Sequence, residues 1–165
     1  MTRLIQSELL KLKRYSVIWI GIATMLSVVL LTCFMEIGTP GVPTFSSFSD
    51  NVIWNNFSLI FPATITLIAG YIIERERTDD TLKNLTAIPV SFRRLLVGKL
   101  LVCGMITIFL AIVEFMFTVI ISLIIRYGGL NLFSMAKTLL QMIGMNCFVF
   151  IAVLPIIVFT GQRAG

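Results

Sequence analysis

Four long apolar stretches divided by short polar ones are the dominant pattern along this chain. Residues 15–35, 51–73 and 138–162 contain no Asp, Glu, Lys or Arg, and residues 100–125 are broken only by Glu114. About 20 predominantly apolar residues suffice for an α-helix to cross a bilayer. Helices of a soluble core are shorter and keep one polar face. The pattern therefore predicts four transmembrane helices. The first is not expected to be a cleaved signal peptide, because its apolar run is too long and no small-x-small cleavage site follows it.

Composition agrees: 58% of the residues are hydrophobic and 13% are charged, against about 25% charged in ordinary soluble domains. The fold class predicted is all-α, a polytopic transmembrane helical bundle forming one domain over residues 1–165. Its parts are an interfacial helix at 2–14, four spans, and a charged loop at 74–99.

The positions of Lys and Arg set the orientation. Arg3, Lys11, Lys13 and Arg14 precede the first span, and Arg75, Arg77, Lys83, Arg93, Arg94 and Lys99 lie between the second and third. The first loop on the other side has no Lys or Arg, and the second has only Arg126 and Lys137. Short loops rich in Lys and Arg remain cytoplasmic, so the N-terminus and the 74–99 loop are expected on the cytoplasmic side of the cell membrane. Tyr15 and Tyr71 then fall at inner boundaries, Trp54 and Tyr127 at outer ones.

At about 100° per residue, Leu4, Ile5, Leu9 and Leu12 share a face. Arg3 and Arg14 fall opposite them, with Lys11 at the boundary. This is the pattern of an amphipathic helix lying on the lipid of the inner leaflet; a simple positive flank is the plainer alternative. Glu8 falls within the apolar arc and needs a basic partner, either Lys11 one turn away or an arginine of the loop.

The 74–99 loop holds ten charged residues. Glu74 and Glu76 continue the second helix into the cytoplasm. Asp79 and Asp80 suit the start of a short helix, since carboxylates cap free N–H groups and favour the positive end of the helix dipole. That helix would cover 81–87, with Thr81, Leu82, Lys83 and Leu85, and would end before Pro89. Ser91 suits the cap of a further helix running through Arg93 and Arg94 into the third span. The arrangement is a charged surface helix held between two membrane helices; a solvated loop that only fixes topology is the alternative.

Within the spans, Glu114 stands out, because carboxylates in the membrane are costly and mark function by default. It is read as a partner for a polar group on another helix such as Asn146, as the lining of a polar cavity used by substrate, or as a proton-coupling group. Pro62 and Pro155 are expected to kink their helices. Residues 38–50, with Pro40, Gly41, Pro43 and three serines, are expected to form an outer connector. A plain loop is the favoured reading there, with Phe45 and Phe48 dipping into the outer leaflet or meeting an amphiphilic substrate as the alternative. Asn56-Phe-Ser and Asn84-Leu-Thr match the glycosylation pattern but are discounted, one lying at the edge of a span and the other in the cytoplasm.

The missing chemistry is as informative. The chain has no histidine, which removes the usual general base and the nucleophile pairs that depend on it. Cys33, Cys103 and Cys147 sit singly in spans without metal-ligand spacing, and read as small apolar residues. No Gly-x-x-x-x-Gly-Lys-Ser/Thr phosphate loop occurs. No catalytic residue, metal or cofactor is expected, and no nucleic-acid partner.

The order Glu-x-Glu, Thr-Leu-Lys-Asn-Leu, Pro-Val-Ser, Arg-x-Leu-x-x-Gly-Lys resembles the loop after the second span in membrane subunits of type-2 ABC exporters. Glu74, Glu76, Thr81, Leu82, Leu85, Pro89, Ser91, Arg93, Leu95, Gly98 and Lys99 carry the likeness. Residues 7–14, Ser-Glu-Leu-x-Lys-Leu-Lys-Arg, are similar to that family's lead-in helix. The resemblance implies that the loop holds a coupling helix docking on a separate cytoplasmic ABC ATPase. It also implies a second permease chain, identical or related. The Thr-Leu-Lys-Asn-Leu run resembles bacterial permeases that protect against lantibiotics or bacitracin-like peptides. An amphiphilic substrate is expected, whether peptide antibiotic, drug or lipid-like molecule. Two departures stand out: Asp80 occupies a position usually held by Gly, and four spans are present where the family usually has six, so the chain looks like the N-terminal fragment of a six-span permease. The competing readings are a small proton-coupled secondary transporter using Glu114, for which the loop would be dispensable, and a non-transporting membrane scaffold or immunity protein.

Overall fold

The computed structural model describes residues 17–37, 44–78 and 92–162, with backbone alone at 73–78, 92–96 and 160–162. The segment expected to form the interfacial helix, with Glu8, Lys11 and Arg14, lies outside the described residues, as do Asp79, Asp80, Thr81, Leu82, Lys83 and Leu85 of the charged loop. What is described is helical throughout its length, apart from one turn and its short flanks. The helices are α1 (Val17–Ile37), α2 (Phe45–Asn55), α3 (Phe61–Thr78), α4 (Phe92–Ile125) and α5 (Leu132–Gln162). A π-helical turn, Asn56–Ile60, joins α2 to α3 into one rod.

Four stretches within these helices are long and apolar enough to cross a membrane: Val17–Glu36, Phe45–Ile72, Val97–Ile125 and Leu132–Phe159. The protein is an all-α, multi-pass membrane protein. Helices suit this setting because lipid offers no hydrogen bonds, so each backbone group must find its partner inside the segment. The hydroxyls follow the same rule: Thr32, Thr64, Thr107 and Thr118 each donate to the carbonyl four residues back, at 2.7–3.0 Å. Trp19, Phe34, Leu67, Ile124, Phe133 and Phe159 point outward from the bundle, as side chains solvated by acyl chains would.

The α2–α3 rod and α4 occupy the middle, each packing on both α1 and α5, while the backbones of α1 and α5 do not approach each other among the described residues. Gly21 lets α1 approach closely. A Cβ there would lie 3.1 Å from Leu110 Cδ2 and 3.3 Å from Ile68 Cδ1, inside ordinary contact distance. Gly21→Val should therefore force α1 away from α3 and α4 and cost about 1–3 kcal/mol. The readout is detergent-solubilised thermal unfolding; an unchanged transition would mean that α1 is seated more loosely than this.

The second rod begins earlier than the apolar run alone predicts. Thr44 Oγ1 accepts from the Ser47 amide at 3.3 Å and caps α2, which starts at Phe45 rather than near residue 51. Phe45 and Phe48 are fully buried in a helix, so the plain connector expected here is corrected, and with it the alternative in which they meet lipid or substrate. Burial of two aromatic rings outweighs the serines and Asp50 that made this segment look like a loop. The Phe45 amide also donates to Gly128 O at 2.9 Å, tying the start of α2 to the α4–α5 connection.

That connection is built by a helix stop. Arg126 takes φ 63°, and the Tyr127 amide donates back to Ser122 O at 3.0 Å, the Schellman arrangement with arginine at a position that favours glycine. Tyr127 then turns inward and packs on Phe48, ring centroids 5.0 Å apart, rather than standing at the outer surface. Burial, and next the Glu36 carboxylate beside it, push the Tyr127 phenol up to about 12. Asn51 Nδ2 donates to Glu36 Oε1 at 2.8 Å, so α1, α2 and the connection meet at one polar contact.

Candidate functional site

The buried interior falls into two apolar clusters. One, with Met25, Phe61, Ile65, Leu110 and Val153, lies toward the ends that bear the charged loop. The other, with Val28, Val29, Phe48, Val52 and Met142, lies toward the α4–α5 connection. In chain order, Asn56 falls between Ile53 and Phe61, Glu114 after Leu110, and Asn146 between Met142 and Val149. A polar centre thus separates the two clusters.

Its geometry is specific. Asn56 Nδ2 donates to Glu114 Oε2 at 2.8 Å, and Asn146 Nδ2 donates to the same oxygen at 3.1 Å. Asn56 Nδ2 also lies 3.4 Å from Asn146 Oδ1, a long contact. Glu114 is 1% exposed, Asn56 2% and Asn146 3%, so water does not complete their bonding at the surface. Three spans are joined at a single carboxylate oxygen.

Local structure explains how Asn56 arrives there. The π turn begins at Asn56, and the Phe61 amide reaches back five residues to Asn56 O. Pro62 follows directly. Proline lacks an N–H, and its ring crowds the carbonyl four residues earlier, so a wider turn just ahead of it relieves the clash. Such turns often re-aim side chains at functional positions. Pro62 thus marks a change of helix type, while Pro155 lies inside α5.

On α4 the carboxylate belongs to a polar seam. Thr107, Glu114, Thr118 and Ser122 are all buried, spaced by seven, four and four residues so that they share a face. Thr118 Oγ1 donates to Glu114 O at 2.9 Å and Ser122 Oγ to Thr118 O at 2.7 Å. Two further cross-links run outward of the centre: Asn55 Nδ2 donates to Thr32 Oγ1 at 2.9 Å, and Thr138 Oγ1 to Ser49 Oγ at 3.2 Å.

Of the residues singled out from sequence, Glu114 and Asn146 are brought together. Thr107, Thr118 and Ser122 were not singled out, and Asn56 was noted only as a discounted glycosylation match. The i+4 spacing of the α4 hydroxyls from Glu114 was a readable signal, whereas Asn56, inside the predicted span, was one neutral amide among Asn51, Asn55 and Asn56. Glu74 and Glu76 lie in the C-terminal part of α3, and Arg93 and Arg94 in the first turn of α4. Behind them Lys99, 6% exposed, donates from Nζ to Ile72 O at 3.1 Å. This bond spans the two helices that carry the charged loop. Among the described residues, no group of three or more His, Cys, Asp or Glu is placed to hold a metal ion.

The family model described as ABC-2 family transporter protein matches residues 4–163. Comparison with curated proteins gives no match, and neither does comparison with solved structures.

Proposed function

The chain belongs to the ABC-2 transporter family, and on that premise we propose that it is an export permease whose 74–99 loop docks a separate ABC ATPase chain. The observation that carries this reading is the mounting of the loop. It is flanked by α3, which continues to Thr78, and by α4, an unbroken helix from Phe92 to Ile125. Force applied between them travels along rigid rods, and the Lys99–Ile72 bond holds those rods together at the loop's base. The short helix expected at 81–87 is the docking element, with Thr81, Leu82 and Leu85 toward the ATPase and Asp79 and Asp80 at its start.

The N-terminus and loop face the cytoplasm in this reading, because they carry most of the Lys and Arg. A second permease chain completes the assembly, since each ATPase of a dimeric motor needs a loop to act on. The substrate is amphiphilic: the outward surfaces are apolar, and the few buried polar groups hold helices together rather than forming an ion path.

The test is co-purification from the native membrane. Wild type should retain an ATPase bearing a phosphate-binding loop, and a Leu82→Asp, Leu85→Asp double variant should lose it while melting like wild type. Equal recovery with both chains would remove the loop from the docking surface, and no ATPase with either would refute the reading.

A further inference from the structure

The centre at Glu114 leaves two buried atoms unsatisfied, and both are acceptors. Among the described residues, Glu114 Oε1 and Asn56 Oδ1 have no hydrogen-bond partner. They belong to two groups already joined through their other atoms, Glu114 Oε2 and Asn56 Nδ2, at 2.8 Å. A carboxylate accepts only, and an amide oxygen accepts only. Neither orphan can serve the other unless a hydrogen lies between them.

We propose that Glu114 carries a proton on Oε1 in the folded protein and donates it to Asn56 Oδ1, closing a doubly bonded acid–amide pair. One proton then satisfies both orphans. It also removes the negative charge from a site where charge is poorly tolerated. Asn146 continues to donate to Oε2, so the neutral acid is held from two helices.

Among the described residues, the cations on the helices around Glu114 lie too far along the chain to do the same work. On the helix of Glu114, Lys99 lies 15 residues away, about 22 Å along the axis, with Arg94 and Arg93 farther still, and Arg126 follows the helix end 12 residues away, about 18 Å. Cys103 lies 11 residues away on that helix. On the second rod the titratable groups are Asp50, six residues outward of Asn56, Tyr71, 15 residues inward, and Glu74, Arg75, Glu76 and Arg77, 18 to 21 residues inward. On α5, Cys147 adjoins Asn146, and the exposed Lys137 is nine residues before it. On α1, Cys33 and Glu36 lie outward, next to the Tyr127 contact. The recorded side-chain partners of Glu114 are the two amides.

This inference stands apart from ATPase docking and is tested on the purified full chain in lipid nanodiscs. The chain has five glutamates, Glu8, Glu36, Glu74, Glu76 and Glu114. With 13C-carboxyl glutamate incorporated, solid-state NMR at about pH 8, far above the range of exposed glutamates, should show one protonated carboxyl. The signal should persist in Glu36→Gln and vanish in Glu114→Gln, and Glu114→Gln should melt close to wild type because its amide retains a donor. If Glu114→Gln does not fold, persistence of the signal in Glu8→Gln, Glu36→Gln, Glu74→Gln and Glu76→Gln assigns it to Glu114 by elimination. Carboxylate signals alone at that pH would overturn the proposal. So would a melting temperature that falls when sodium is replaced by choline, since a metal ion would then be bridging the two oxygens.

Discussion

Asn56→Leu is expected to destabilise the bundle by about 2–3 kcal/mol, far more than a typical polar substitution within a membrane helix. Interhelical hydrogen bonds in lipid average only about 0.6 kcal/mol, because the separated helices find other partners. Asn56 differs in what it leaves behind. Leucine takes the 2.8 Å donor from Glu114 Oε2 and strands a buried carboxyl group with Asn146 alone. Stranding a buried polar partner costs its desolvation, about 1–3 kcal/mol and more for a charged group. The branched apolar side chain must also fit where a planar amide lay. Asn55→Leu is the internal control. It removes the part-buried bond to Thr32 at 2.9 Å from the neighbouring position, and should cost about 0.6 kcal/mol. Reversible unfolding in mixed micelles compares the two; similar losses would deny the centre any special structural weight.

The reason for such a centre lies in the solvent. Apolar faces drive helices together in water, but lipid chains compete on equal terms with Leu and Val. The two apolar clusters can therefore fill space without fixing how far one helix slides along another. A carboxyl oxygen shared by Asn56 and Asn146 does fix it, because moving either rod by one residue breaks the bond. Gly21 supplies the complementary restraint, close approach without a side chain.

How legible this was follows from the same physics. Uncharged runs longer than a bilayer is thick can hardly be anything but spans, so the four helices could be read directly. Glu114 was conspicuous as a lone carboxylate in such a run. Asn56 was not: inside the predicted span it was one neutral amide among Asn51, Asn55 and Asn56, while Ser46, Ser47, Ser49 and Asp50 made the first turns of its helix look like a loop. The Thr44 cap and the Phe45, Phe48 and Val52 spacing carried the counter-signal, but local polarity masked a face that only tertiary burial reveals. The π turn was less legible still. Its cue was Pro62, which from sequence alone reads as an ordinary kink.

Lys99→Met is expected to separate motor from membrane without unfolding either. Methionine retains the apolar stem and loses the donor that reaches Ile72 O at 3.1 Å. The helix continues beyond Ile72 to Thr78, so that carbonyl keeps its intrahelical partner. The stability change should stay within about 1 kcal/mol, the net worth of an ordinary hydrogen bond. Coupling is another matter. The bond lies six residues before the end of α3 and seven after the start of α4, close beneath the charged loop. With it, the two arms move as one piece when the loop is pushed; without it, each yields separately and less of the push reaches the spans. A coupling energy of 1–3 kcal/mol corresponds to about 5–150-fold, so permease-dependent stimulation of ATP hydrolysis should fall by about tenfold while the ATPase still co-purifies. Loss of binding as well as stimulation would make Lys99 part of the docking surface. Full stimulation would mean that α3 and α4 transmit the push without being tied, and the rigid mounting of the loop would have to come from packing alone.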